Sequence, residues 1–318
     1  MCLTQEIEYG LKMKHLHLFF VLQFVSTGFC QSESQPEVKA PQTVTLTTKD
    51  NVQLHLQYFA GNLGKETVPV ILVHGADGSI GFGSGRDFKD LAPLLQRNGF
   101  AVFVPDLRGF GESKQQVGRK GVESIDRSRF NRDDIAKMVK FDMEAVKRFI
   151  LDKHNTGELN VEQLCLLGCE MGTVIALDWA RLDWNAPSFP QLKQGQDVKT
   201  MILVSPIQSH LGFTISAAIA DKNVQGAIST MVVVGERSQK IATLAARIFK
   251  RLKRAHRQAG VGRTSYETLA FHELPTSLQG TKLLNAKSFQ LDKTILEFLV
   301  KQSAQNADQH PWKPRKRK

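Results

Sequence analysis

Hydrophobic positions follow two different patterns along the chain. Two stretches alternate apolar and polar residues, Thr43 to Thr48 and Val52 to Tyr58, on either side of Lys49-Asp50-Asn51. Period two around a polar turn predicts an antiparallel hairpin at a sheet edge. Beyond it come short unbroken apolar runs at Val68 to Val73, Ala101 to Val104, Leu164 to Leu167, Thr200 to Val204 and Met231 to Val234. Such runs indicate strands covered on both faces, as in a parallel sheet. Between them lie helical segments at Phe88 to Arg97, Asp133 to Lys153, Thr173 to Leu182 and Gln239 to His256, and Thr264 to His272 and Leu291 to Gln302 read as a last strand and a last helix. The alternation predicts an α/β fold with a doubly wound, mostly parallel sheet. The stretch from Ile207 to Ser229 is too short for a large helical cap.

The chain's beginning breaks this pattern. Lys12, Met13, Lys14 and His15 precede the apolar run Leu16 to Val25, which passes into Ser26, Thr27 and Gly28. This is the layout of a secretory signal peptide, and the run is shorter than the roughly 20 apolar residues of a membrane span. Met13 serves equally well as a start. The expected organisation is a signal peptide over residues 1–30, a linker over 31–40, one domain over 41–304 and a basic, disordered tail over 305–318. The expected location is outside the cytoplasm, periplasmic or secreted.

Composition adds two constraints. With 318 residues, 42% of them hydrophobic and 23% charged, the chain is neither disordered nor fibrous and is long enough for one large core. The net charge of +11 gathers in Arg247, Lys250, Arg251, Lys253, Arg254 and Arg257 and in the tail Lys313 to Lys318. Either these are a solvated helix face and a frayed end, or they attract an acidic partner such as a membrane surface, a polyanion or nucleic acid. No specific nucleic-acid motif accompanies them. Removal of the leader leaves Cys165 and Cys169; four residues apart on one strand they are separated by roughly 13 Å, too far for a disulfide. No Cys, His or acidic grouping has metal-ligand spacing, and the glycine-rich Gly78 to Gly85 lacks the Lys and Ser/Thr of a phosphate loop, so no metal or cofactor is expected.

In open α/β sheets ligands sit at the carboxyl ends of the strands, and three loops there carry chemistry. The first is His74-Gly75-Ala76-Asp77-Gly78, a glycine turn. The second is Asp106-Leu107-Arg108-Gly109-Phe110-Gly111-Glu112-Ser113. The third is Leu167-Gly168-Cys169-Glu170-Met171-Gly172, in which glycines flank a strained turn from strand to helix that presents the central side chain. Their order and spacing resemble the α/β-hydrolase family over about Pro41 to Gln302. The resemblance implies an α/β-hydrolase fold without a large cap, and an oxyanion hole from the NH groups of Met171 and Ala76 beside Gly75.

The departures from the family pattern decide the functional reading. Where the family has Ser, or less often Asp or Cys, this chain has Glu170. Where the triad acid is expected, in Gly235-Glu236-Arg237-Ser238, stands Ser238. Where the His is expected, in Gln279-Gly280-Thr281, stands Thr281. A serine needs a histidine to take its proton and an acid to orient that histidine, so a chain lacking all three is expected to be a pseudo-hydrolase that keeps a pocket for a small molecule or a protein partner. Glu170 at a helix N-terminus is expected to fold back onto the NH groups of Met171 and Ala76. The first alternative is an active hydrolase of esters or similar electrophiles, with Glu170 as nucleophile, His272 as base and Glu236 orienting it. The second is a protein that acts through its basic helix and tail. Cys169 is expected to pack beneath the elbow, His74 and Asp106 with Arg108 to brace loops, and His210 to be a solvated loop residue; Arg108 facing the pocket would instead hold an anion.

Overall fold

The computed structural model describes residues 39–76, 87–119, 121–187, 189, 193–258 and 268–315. The leader, most of the linker, Gly78 to Gly85, the first residues of the expected last strand and the final three residues lie outside these. The strands are β1 Gln42–Thr47, β2 Val52–Phe59, β3 Pro69–Val73, β4 Ala101–Pro105, β5 Gln115–Gly118, β6 Gly121–Ser124, β7 Leu164–Cys169, β8 Val198–Val204, β9 Ser209–His210, β10 Phe213–Thr214, β11 Ser229–Gly235 and β12 Leu269–Leu274. The helices are α1 Leu91–Arg97, α2 Arg132–Lys137, α3 Met143–Asn155, α4 Met171–Trp184, α5 Ser216–Ala220, α6 Lys222–Gly226, α7 Gln239–Gln258, α8 Gly280–Leu284 and α9 Leu291–Ala307.

Ten strands form one sheet in the order β12-β11-β8-β7-β3-β4-β2-β5-β6, with β1 paired to β2. The six strands from β12 to β4 are parallel, and β1, β2, β5 and β6 pair antiparallel. This is the doubly wound, mostly parallel α/β sheet that the unbroken apolar runs call for. Alternate residues of β3 show why they are unbroken: Ile71 and Val73 join the core beneath α2, α3, α4 and α7, while Val70 and Leu72 join the core beneath α1, α8 and α9. Both faces are dry, so burial at about 25 cal/mol per Å² acts on every position of the strand.

Four features differ from the sequence expectation. The hairpin β5–β6, polar and exposed, extends the edge beyond β2; its pairing is backbone-driven and leaves little hydrophobic pattern. The helix expected from Asp133 to Lys153 is interrupted by a π-helical turn over Met138–Asp142. That turn delivers the fully buried Asp142 to the Arg108 backbone NH at 2.9 Å and to its guanidinium at 2.7 Å and 3.0 Å. The last strand runs from Leu269 to Leu274, so His272 sits inside it and not at its end.

The fourth difference is the tail. Helix α9 continues to Ala307, and the chain then packs along the protein as far as Arg315. Trp312 Nε1 donates to the His154 carbonyl at 3.1 Å, and His154 Nε2 meets the Lys313 carbonyl at 2.7 Å. The Arg315 guanidinium donates to Glu162 at 2.7 Å and pairs with Asp197, both carboxylates being nearly or fully buried. Over residues 305–315 the expectation of a disordered tail is therefore corrected. Composition counts the tail's charge, whereas the fold supplies buried carboxylates that hold it.

Candidate active site

The elbow is built by close backbone approach. A Cβ on Gly172 would overlap the Val73 carbonyl, and one on Gly168 would stand 2.6 Å from the Gly172 carbonyl carbon. Only glycines fit, and between them β7 turns abruptly into α4 with Glu170 at φ 47° and ψ −110°. A non-glycine residue at positive φ is costly and persists only where surrounding contacts fix it. Here the Glu170 NH donates to the Val204 carbonyl at 3.0 Å, and its own carbonyl accepts from Thr173 N at 2.9 Å and Thr173 Oγ1 at 2.6 Å.

The half-buried Glu170 side chain makes no capping hydrogen bond to α4. It reaches across to two glycines. A Cβ on Gly75 would stand 2.8 Å from Glu170 Oε2, and one on Gly280 would overlap Cδ and stand 2.6 Å from Oε2 and 2.7 Å from Cγ. The carboxyl group thus lies between the glycine turn after β3 and the start of α8. The expected seat, the NH groups of Met171 and Ala76, belongs to the chain neighbours of Glu170 and Gly75. Met171 is fully buried, Gly75 is buried and Ala76 is partly exposed beside them.

Gly280 is held there by Gln279, its neighbour in the quoted motif, and by Ser205, which no motif marks. Ser205, directly after β8, has φ 52° and is fully buried. Its NH donates to the Val233 carbonyl at 2.8 Å and its hydroxyl donates to Gln279 Oε1 at 2.7 Å, while the Gly280 NH donates to the same hydroxyl at 2.9 Å. Gln279 Nε2 donates to the Gly235 carbonyl at 2.8 Å. Ser205 and Gln279 therefore fasten the loop after β12 onto the ends of β8 and β11, with Gly280 against the Glu170 side chain. A serine followed by Pro206 at the end of an apolar run is the one signal that the sequence offers for Ser205.

Thr281, in the first turn of α8, lies next to Gly280. Ser238 directly precedes α7, its carbonyl accepting from the Ile241 and Ala242 NH groups. His272 is not brought to Glu170. Cys169, Val204, Val233 and His272 share one row across β7, β8, β11 and β12. Three strand spacings put His272 about 14 Å to the side of the elbow, and its neighbours on that face of β12, Ala270 and Leu274, pack into the core beneath α1, α8 and α9. Burial lowers its pKa. Glu236 is exposed after β11.

The remaining candidates are structural. Leu107 NH donates to His74 Nε2 at 3.2 Å, which leaves Nδ1 to donate to the Gly75 carbonyl at 2.8 Å. Burial disfavours protonation of this ring, so His74 is a neutral clamp between the glycine turn and the loop after β4. Arg108 is spent inside the protein on Asp142 and Asp50. Cys169 is fully buried; burial, with Asp87 and Glu170 nearby, raises its pKa well above the usual thiol range. Burial likewise pushes Cys165 up to about 12, and both cysteines are free. His210 is half-buried in β9, with its pKa lowered by burial. Among the described residues no group of three or more His, Cys, Asp or Glu is placed to hold a metal ion, and no helix is long and apolar enough to cross a membrane.

A sequence model of the α/β-hydrolase fold family matches residues 68–318. The chain belongs to the α/β-hydrolase fold family. This hydrolase-fold chain is similar in structure to an esterase from Pyrococcus furiosus at 14% identity and a TM-score of 0.52, over 83% of this chain and 92% of that one. It is similar to an esterase from Rhizomucor miehei at 12% identity and a TM-score of 0.56, over 84% and 86% of the two chains. A dienelactone hydrolase from Anabaena variabilis shares 16% identity at a TM-score of 0.53, over 82% and 98%. At these identities the likeness establishes the fold. No curated protein matches the sequence.

Proposed function

We propose that this protein is a non-hydrolytic member of the α/β-hydrolase fold, a pseudo-hydrolase that keeps the family's site for a small molecule or a protein partner. The observation that carries the reading is the seat of the Glu170 carboxyl group against Gly75 and Gly280. In a serine hydrolase the acyl group and the activating imidazole meet in this region of the fold. A carboxylate there opposes the negative charge of a tetrahedral intermediate, which is the charge an oxyanion hole exists to stabilise. The side chains at the acid and base positions, Ser238 and Thr281, cannot replace a proton relay.

Hydrolysis of p-nitrophenyl butyrate by the wild type, Glu170→Gln and Glu170→Ser tests this. No turnover by the wild type or by Glu170→Gln is expected, together with thermal stabilisation by any ligand that binds the site without being consumed. Wild-type turnover that disappears in Glu170→Gln overturns the reading. Activity gained in Glu170→Ser alone identifies a base still in reach. The second reading, an active hydrolase of esters or similar electrophiles, is favoured by the esterases and the dienelactone hydrolase of the same fold. It requires a base other than His272, given the lateral separation from the elbow.

Export is part of the proposal and rests on the leader pattern from Lys12 to Gly28. The N-terminal sequence of protein recovered from outside the cytoplasm should start near residue 30. An uncleaved Met1 or Met13 terminus confined to the cytosol would refute it.

A further inference from the structure

Helix α7 carries seven Lys and Arg and no Asp or Glu in its twenty residues. Arg247, Lys250, Arg251 and Arg254, spaced three and four apart, share one face, and like charges at that spacing repel by a few tenths of a kcal/mol per pair. No carboxylate among the described residues pairs with any of the four. Together with Gln225 of α6 and Ala255 they line a cavity of 440 Å³ without a single acidic group.

This cavity continues into apolar ground. Arg247 and Arg251 also border a second cleft floored by Ile215, Ile219, Leu244 and Ile248. Leu244 and Arg247 in turn border a third, of 650 Å³, with Pro206, Ile207 and Ile241. The line of clefts therefore starts among four cations, runs over aliphatic side chains and ends beside the loop after Ser205. There the Ile207 NH donates to Thr173 Oγ1, in the first turn of the elbow helix, at 3.4 Å. A purely solvated helix face needs no cavity, and a site for a free polyanion needs no aliphatic floor.

We propose that this groove binds a single-chain anionic amphiphile, with its headgroup among Arg247, Lys250, Arg251 and Arg254 and its hydrocarbon chain over Leu244, Ile248 and Ile207 toward the elbow. Charge complementarity selects the head and the aliphatic floor selects the tail; cavities of this size are typical of small-ligand sites. The proposal does not rest on the elbow being inactive, because binding is read without turnover and with Glu170 intact.

The test is calorimetric titration of the full chain with dodecyl phosphate below its micellar concentration. Inorganic phosphate, dodecyl maltoside and phosphatidylglycerol vesicles are run alongside. Saturable binding of dodecyl phosphate is expected, at least tenfold tighter than either half-ligand, and weaker at high salt. Lys250→Glu/Arg254→Glu, at exposed positions, should weaken it at least tenfold without lowering Tm. Leu244→Ser should weaken dodecyl phosphate while leaving inorganic phosphate unchanged. Equal affinity for inorganic phosphate removes the tail from the site, and equal affinity for dodecyl maltoside removes the head; either overturns the proposal. Vesicle binding with no binding of the monomer overturns it in favour of a membrane surface.

Discussion

Strands β7 and β8 carry polar groups at both ends, and the two ends use them in opposite ways. At the amino ends stand Glu162 and Asp197, whose buried carboxylates are paired with Lys147, Lys193 and Arg315. Asp183 closes the same cluster on Lys147 and accepts from the Asp197 and Val198 NH groups at 2.7 Å and 3.1 Å. At the carboxyl ends stand Glu170 and Ser205, both at positive φ, where a carboxyl group is packed against glycines and a hydroxyl holds a loop. The first end neutralises charge with opposite charge, although Gln196 beside Asp197 also has positive φ, at 60°. The second holds strained backbone and close contact in place. One end is fastened by ion pairs, and the other is held by close packing against glycines.

The largest expected effect breaks the fastened end. Arg315→Ala removes a guanidinium from two buried carboxylates and should cost about 3 kcal/mol, as removal of one partner from a buried ionic cluster does; urea denaturation measures it. The cluster also sets a pH dependence. Burial opposes ionisation of Asp197, but Lys147, Arg315 and Lys193 outweigh it and hold its carboxyl below the usual range. A depressed folded pKa gives stability that is present above the unfolded value of about 4 and is lost as pH falls through the lower folded value. Denaturation between pH 7 and pH 3 should therefore show a steep acid loss that is shallower in Arg315→Ala.

The next effect sharpens the strained end. Gly280→Ala places a Cβ onto the Glu170 carboxyl group at φ 54°, and overpacking with left-handed strain should cost about 2 kcal/mol. If the contact is responsible, Glu170→Ala restores at least 1 kcal/mol of that loss in a double-mutant cycle. Additivity of the two substitutions would place Glu170 elsewhere. Gly75→Ala is expected to cost only about 1 kcal/mol, since the atom in its way, Oε2 at 2.8 Å, is the far end of a flexible side chain. Glu170→Ala should abolish that cost in the same thermal-melt assay.

Much of the scaffold can be read from the sequence because its signal is local. The unbroken runs at Val68 to Val73 and Met231 to Val234 report burial on two faces, and Gly168 and Gly172 mark the elbow because no larger residue fits. The seat of Glu170 cannot be read this way, since it depends on Gly280, which arrives from a distant stretch through Ser205 and Gln279. His272 shows the same gap: its type and strand are visible in the sequence, but its row in the sheet depends on where β12 starts and ends.

The sequence by itself determined the alternation of the parallel strands with their main helices, the elbow and its unusual Glu170, and the basic face of α7, because periodicity, glycine and charge act on neighbouring residues. Only the tertiary structure decided that the tail is fastened by Arg315, that His272 stands away from Glu170, and that the cations of α7 border an aliphatic groove. Each of these is set by pairing between segments far apart in the chain, which local pattern does not encode.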